Sequence, residues 1–248
     1  IQMLILLYAG YSFRVQDVTL SKGDVFEFNV GWSAEYGDGS IEQLPELPCI
    51  VNAHADEMVI LRNEIPEAYW GKSLNFLSVN KEIEVFIDGE RVYFFGTEDI
   101  RTFGKTPGSV ENFVDIPKDL SEGKIEIHMK SPYKSNAGRI NGIEIGARDI
   151  LMANLVKENV VSLICCALVI ICSGIVLIVA GVKRYSGNTT GGLVYLSAYF
   201  FVMGLHELSE TRILTLYYGN QTMYSMLVSF CLMILPYLLI LYYTHTYM

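Results

Sequence analysis

Hydrophobic and polar residues alternate strictly from Lys124 to Lys130, with Ile125, Ile127 and Met129 on one face and Lys124, Glu126, His128 and Lys130 on the other. That two-residue period predicts a strand buried on one side. The stretch Glu82 to Phe95, EIEVFIDGERVYFF, holds two such runs around Asp88-Gly89, a hairpin signal because both turn positions favour positive φ. Further short strands are predicted at Asp24–Trp32, Cys49–Ala53, Met58–Arg62, Ser73–Val79, Asn112–Ile116 and Ile140–Ile145. About nine strands separated by turns, with no long amphipathic helix between them, predict an all-β two-sheet sandwich of jelly-roll type over residues 13–150.

The period then changes. Val160 to Val182 is 23 residues without a charge, about 34 Å of helix, against a bilayer core of roughly 30 Å. Two further apolar runs predict spans at about 191–208 and 223–243, the last containing Pro236, which a membrane helix tolerates when neighbours satisfy the freed carbonyl. Residues 160–248 are therefore expected to be a membrane domain of three transmembrane helices, with 151–159 as connector. Residues 1–12, an apolar stub beginning with Ile1, read as the remnant of a signal anchor or first helix. The chain is expected to be truncated within a longer multi-span protein.

Charge supports this division. Residues 1–159 carry 15 of the 18 Lys and Arg and 25 of the 27 Asp and Glu, whereas 160–248 carry three basic and two acidic residues. An acidic water-facing part argues against nucleic acid as a partner. Lys183 and Arg184 directly follow the first full span, which by the positive-inside rule places the following loop in the cytoplasm and residues 13–159 outside it. Of five cysteines only Cys49 lies in the water-facing part, so that domain has no disulfide of its own.

Sites for chemistry are sparse. Gly104-Lys105-Thr106 has the tail of a phosphate-binding loop, but Asp99 stands where the motif needs glycine. His54, Asp56 and Glu57 do not have a metal-ligand spacing, and Glu82 and Glu84 share one strand face without a cleft. No catalytic residue, metal or cofactor is expected. For a carbohydrate or other small ligand, Trp32, Tyr69 and Trp70 are the aromatic candidates, with Asp99, Arg101 and Asn112 as polar partners. Glu207, Glu210 and Arg212 lie at the outer end of the second span, where charges near lipid tend to be paired.

Some of these segments resemble known families. Tyr69 to Ser78 followed by EVFIDGERVYFFG is similar in layout to galactose-binding-like jelly rolls. The motif around Phe103, Gly104, Pro107 and Gly108, followed by Asn112-Phe113-Val114-Asp115-Ile116-Pro117 and Ser131-Pro132-Tyr133, resembles the extracytoplasmic region of bacterial sensors that precede GGDEF diguanylate cyclase domains. Leu208 to Leu214 resembles the equivalent loop in seven-transmembrane receptors with diverse intracellular signalling modules. The GGDEF motif itself and four of the seven or so helices have no counterpart in this sequence.

The resemblance implies a sensory, ligand-binding and transmembrane signalling half of a bacterial receptor in the cell membrane. It further implies a diguanylate cyclase or, failing that, a histidine kinase as output, and a homodimer. The chain itself is not expected to be an enzyme. The rival reading is a membrane-anchored carbohydrate-binding or adhesion module without enzymatic output. A transporter subunit would place ionisable groups near the midplane of its helices, where these runs have almost none.

Overall fold

A computed structural model describes residues 24–96, 107–187, 193–209, 211–213 and 238–244, with the backbone alone at 206 and 209. Among the described residues, twelve antiparallel strands occupy the N-terminal unit. They are β1 (Phe26–Glu27), β2 (Ser33–Glu35), β3 (Ile41–Gln43), β4 (Cys49–Ile50), β5 (Met58–Glu64), β6 (Ser73–Val79), β7 (Glu82–Ile87), β8 (Glu90–Phe95), β9 (Ser109–Asp115), β10 (Lys124–Lys130), β11 (Arg139–Ile140) and β12 (Ile143–Gly146). Six form one sheet in the order β3-β2-β5-β10-β7-β8, and four form a second in the order β1-β12-β6-β9. A short pairing of β11 with β4 closes one side. The chain passes repeatedly from sheet to sheet, so that the two inner faces share one core and build a β-sandwich.

The alternation at 124–130 is realised residue for residue. Ile125, Ile127 and Met129 are buried, while Glu126 and His128 face outward. β10 sits between β5 and β7, so its apolar face lies at the centre of the core beside Val59, Leu61, Ile83 and Val85. The opposite wall comes from Leu74 and Phe76 of β6, Val110 and Val114 of β9, and Ile143 and Ile145 of β12. Asp88 and Gly89 make the β7–β8 turn at φ of 49° and 83°, as the Asp-Gly signal requires.

Three expectations about strands need correction. Asp24–Trp32 yields only the two-residue β1, because the chain turns at Gly31 to bring Trp32 into the core. Cys49–Ala53 shrinks to β4, since beyond Val51, whose N–H still donates to the Gly138 carbonyl at 2.9 Å, the Ala53 N–H turns back to the Val51 carbonyl at 3.1 Å. Ile140–Ile145 is split into β11 and β12 around Asn141 and Gly142. Glycine is needed at position 138, where a Cβ would lie 1.9 Å from the Val51 carbonyl oxygen.

After a one-turn helix, α1 (Lys134–Ala137), and β12, the chain enters α2 (Arg148–Tyr185), 38 residues in one helix. The segment 151–159, expected as a connector, is thus helical. Leu151 and Leu155 are buried, and the sandwich unit extends to Leu155, with a second unit beginning at Val156. Among the described residues α2 alone is long and apolar enough to cross a membrane, with a mean hydropathy of 3.1 over its most apolar 18 residues. The expectation of three such spans is not supported. The second run forms α3 (Leu193–Ser209), whose apolar part, Leu193–Leu205, is too short. Most of the third lies outside the described residues, with 238–244 helical.

Candidate functional site

The aromatic candidates separate on folding. Trp32 is fully buried, its indole N–H donating to the Phe28 carbonyl at 2.7 Å and its ring meeting Phe28 edge-on at 5.3 Å. It is a core residue and cannot be a ligand platform. Tyr69 and Trp70 lie in the loop between β5 and β6, half-buried, with the Trp70 indole donating to the Ile65 carbonyl at 3.1 Å. The Lys72 ammonium sits 5.0 Å from the centroids of both Tyr69 and Phe26.

Asn112, the polar candidate among the described residues, does not join them. Asn112 is also fully buried; its amide donates to the Phe76 carbonyl at 3.0 Å, and its oxygen accepts from the Tyr93 hydroxyl at 3.0 Å. This bond ties β9 to β8 across the core, and burial pushes the Tyr93 phenol up to about 12. Pro107 and Gly108 are buried at the far end of β6, where the Gly108 carbonyl accepts the Asn80 N–H at 2.8 Å. Ser73 pairs with Asp115 and Val79 with Ser109, so the Tyr69–Trp70 loop and the Pro107–Gly108 turn are separated by the length of β6, about 20 Å. Phe113 is buried on the outer face of the small sheet, and Pro117 accepts from the Gly71 N–H at 3.1 Å. Asp99, Arg101, Phe103, Gly104 and Glu210 lie outside the described residues. Glu207 and Arg212 are exposed.

The side chains that do converge are on the outer face of the six-stranded sheet. Register aligns Ser33, Arg62, Glu126 and Phe86 in one row and Glu35, Ile60, His128 and Glu84 in the next. The Arg62 guanidinium bridges both rows. Its Nε donates to Glu126 at 3.0 Å, and a terminal nitrogen pairs with Glu35. The second oxygen of Glu126 is 3.2 Å from His128 Nε2, and the His128 ring lies 4.6 Å from Phe86. Partial burial works against the Glu126 charge, but His128 and Arg62 outweigh it and hold the carboxyl below its ordinary range.

Beside Arg62 an open groove of about 400 Å³ is lined by Gly31, Ser33, Asn63, Lys124 and Glu126. Its walls alternate cation, carboxylate, hydroxyl and amide, a set that can donate to and accept from neighbouring hydroxyls of one small molecule. Among the described residues no group of three or more His, Cys, Asp or Glu is placed to hold a metal ion.

The sequence put Glu126 on the polar face of its strand and Arg62 at the end of another, but nothing in it paired two residues 64 positions apart. A second residue without a sequence signal is Lys81. It is buried, with its ammonium donating to the carbonyls of Ala137 and Arg139 at 3.1 and 2.6 Å. A cavity of about 10 Å³, room for one water, adjoins it between Phe76, Ile127 and Met129. Burial lowers the Lys81 pKa to about 8.

No family model and no curated protein matches the chain. Among solved structures it is similar to a GH2 β-galacturonidase from Eisenbergiella tayi bound to galacturonate, with 13% identity, a TM-score of 0.35, and coverage of 51% of this chain and 25% of that one. A putative β-galactosidase from Bacteroides fragilis gives 18% identity, a TM-score of 0.36, and coverage of 50% and 23%. A mutant form of CBM29-2, a family 29 carbohydrate-binding module, gives 15% identity and a TM-score of 0.21 over 50% of this chain and 77% of that one. The chain thus spans about a quarter of the length of either glycosidase.

Proposed function

We propose that this chain is the sensory half of a bacterial membrane receptor. In this reading the sandwich, a galactose-binding-like jelly roll, binds a hydroxyl-rich small molecule or saccharide outside the cytoplasm, and α2 anchors it in the cell membrane. The observation that carries the reading is the junction. β12 ends at Gly146, α2 starts at Arg148, and the same helix continues through the charge-free run 160–182. No flexible linker intervenes, so a displacement of β12 on ligand binding would be carried into the helix rather than lost. A diguanylate cyclase output and a homodimeric assembly belong to the same proposal and rest on the resemblance of the 103–117 motifs.

The ligand site proposed is the groove at Arg62. The test is thermal unfolding of the full chain in nanodiscs with hexoses, hexuronates and their short oligomers. A ligand present at a hundred times its dissociation constant adds about 2.7 kcal/mol to stability, which reads as a raised midpoint. The shift is expected for the wild type and lost in Arg62→Met. No shift with any of these probes contradicts the saccharide reading, and a shift retained in Arg62→Met moves the site off this face.

A further inference from the structure

Donors and acceptors at the Arg62 groove are not evenly spent. Arg62 gives its Nε to Glu126 and a terminal nitrogen to Glu35. The Asn63 amide nitrogen donates to the Val30 carbonyl at 3.0 Å while its oxygen accepts the Glu64 N–H at 2.8 Å, so both ends of this side chain serve the protein itself. Lys124 pairs with Glu122, and the Glu122 carboxylate, with Glu64 and Asp88 behind it, holds the ammonium above the ordinary lysine range. Register sets Glu64 opposite Lys124 on the groove wall, in the row next to Arg62 and Glu126. Elsewhere on this face Arg91 donates to Glu84 at 2.9 Å, and Lys130 aligns with Glu82. Each cation of the groove is thus matched or outnumbered by carboxylates, whose remaining lone pairs leave the site rich in acceptors.

We propose that this groove selects a saccharide carrying a protonated amine, a hexosamine or its short oligomer, over a hexuronate; the inference rests on the saccharide reading of the same groove above. An ammonium has three donors and no acceptor, and Glu64 and Glu126 offer it carboxylate oxygens from neighbouring rows of the sheet. The sugar hydroxyls then meet the Ser33 hydroxyl and the donors that Arg62 has left. A uronate brings a carboxylate to a wall where both cations are already neutralised. It has to displace Glu35, Glu126 or Glu122 to gain a partner, and like charges brought together across an interface are disfavoured. The groove is open to solvent, where salt screens charges beyond about 8–10 Å, so the preference for the amine weakens as ionic strength rises.

The test is thermal unfolding of the full chain in nanodiscs at pH 6, where the sugar amine is protonated. Glucosamine and galactosamine are titrated against glucose, galactose and the two matching hexuronates, so that the concentration dependence of the midpoint gives each affinity. The hexosamines are expected to bind on the order of tenfold tighter than the parent hexoses, the effect of one hydrogen bond to a charged group, and the hexuronates to give no shift. In high salt this gap narrows, and in Glu64→Gln hexosamine and hexose bind alike. Putrescine, which carries amines without a ring, is expected to give no shift; one as large as the hexosamine's shows charge alone at work and overturns the inference. Equal binding of hexosamine and hexose by the wild type, a hexuronate that binds as well as either, or a preference that survives Glu64→Gln overturns this inference and leaves the saccharide reading in place. A chain whose midpoint no sugar shifts overturns both.

Discussion

The Lys81 ammonium donates to the Arg139 carbonyl at 2.6 Å from a position only 3% exposed. With its second bond, to the carbonyl of Ala137, it fastens the segment before β11 to the turn between β6 and β7. Lys81→Met keeps the length of the side chain but leaves both carbonyls without this donor, so a loss of roughly 1–3 kcal/mol is expected in chemical denaturation.

The same residue sets a pH dependence. Its folded pKa, lowered by burial to about 8, lies below the ordinary 10.5, so between those values the unfolded chain holds more protons and the Lys81 contribution to stability rises with pH. A neutral amine still has donors for both carbonyls. The denaturation midpoint of the wild type is expected to gain on that of Lys81→Met from pH 7.5 to 10.5. A gap that narrows instead would contradict the assignment.

Asp88 anchors the other end of the sandwich. Its carboxylate accepts from the backbone N–H groups of Ser121, Glu122 and Lys124 and from the Ser121 hydroxyl, at 2.8 to 3.1 Å. Desolvation opposes the charge, yet these donors, the Glu122 N–H foremost, hold the carboxyl well below its usual range. A lowered folded pKa gives stability that is present above the unfolded carboxylate pKa and lost as the solution is acidified. Asp88→Asn should therefore melt below the wild type at pH 7, with the difference closing as pH falls through 4 and below.

Gly138 tolerates no side chain. A Cβ there would overlap the Val51 carbonyl oxygen, which is backbone and cannot swing aside. Gly138→Ala is expected to break the β4–β11 pairing and cost about 1–3 kcal/mol or more. The midpoint of thermal unfolding reads this directly, and an unchanged midpoint would mean that the two segments are not in contact.

Arg62→Met separates binding from folding. The Arg62 pairs with Glu35 and Glu126 are partly exposed to solvent, and such surface pairs contribute about 0–1 kcal/mol. The variant should melt close to the wild type without ligand, so loss of a ligand-induced shift would report the groove and not unfolding.

Local signals were legible and distant ones were not. The β7–β8 hairpin, β6 and β10 follow their patterns to the residue, because two-residue alternation and the Asp-Gly turn act over a few positions. The candidate site was not legible. Trp32 and Trp70 have the same side chain, and only the register of β5, β6 and β12 sends one into the core and leaves the other at an end. Asn112, at the start of a predicted strand, looked like a polar partner for a ligand, whereas the hydroxyl of Tyr93, on another sheet, lets it sit fully buried at no lasting cost. The Glu35–Arg62–Glu126 row depends on β2 and β10 flanking β5, a pairing no short motif encodes.

Protease added to intact spheroplasts that express the chain tests the anchored sensory reading most directly. Digestion of the sandwich from outside, with protection of a membrane fragment that begins within α2, is the predicted result. An undigested chain recovered whole in the soluble cytoplasmic fraction would contradict it.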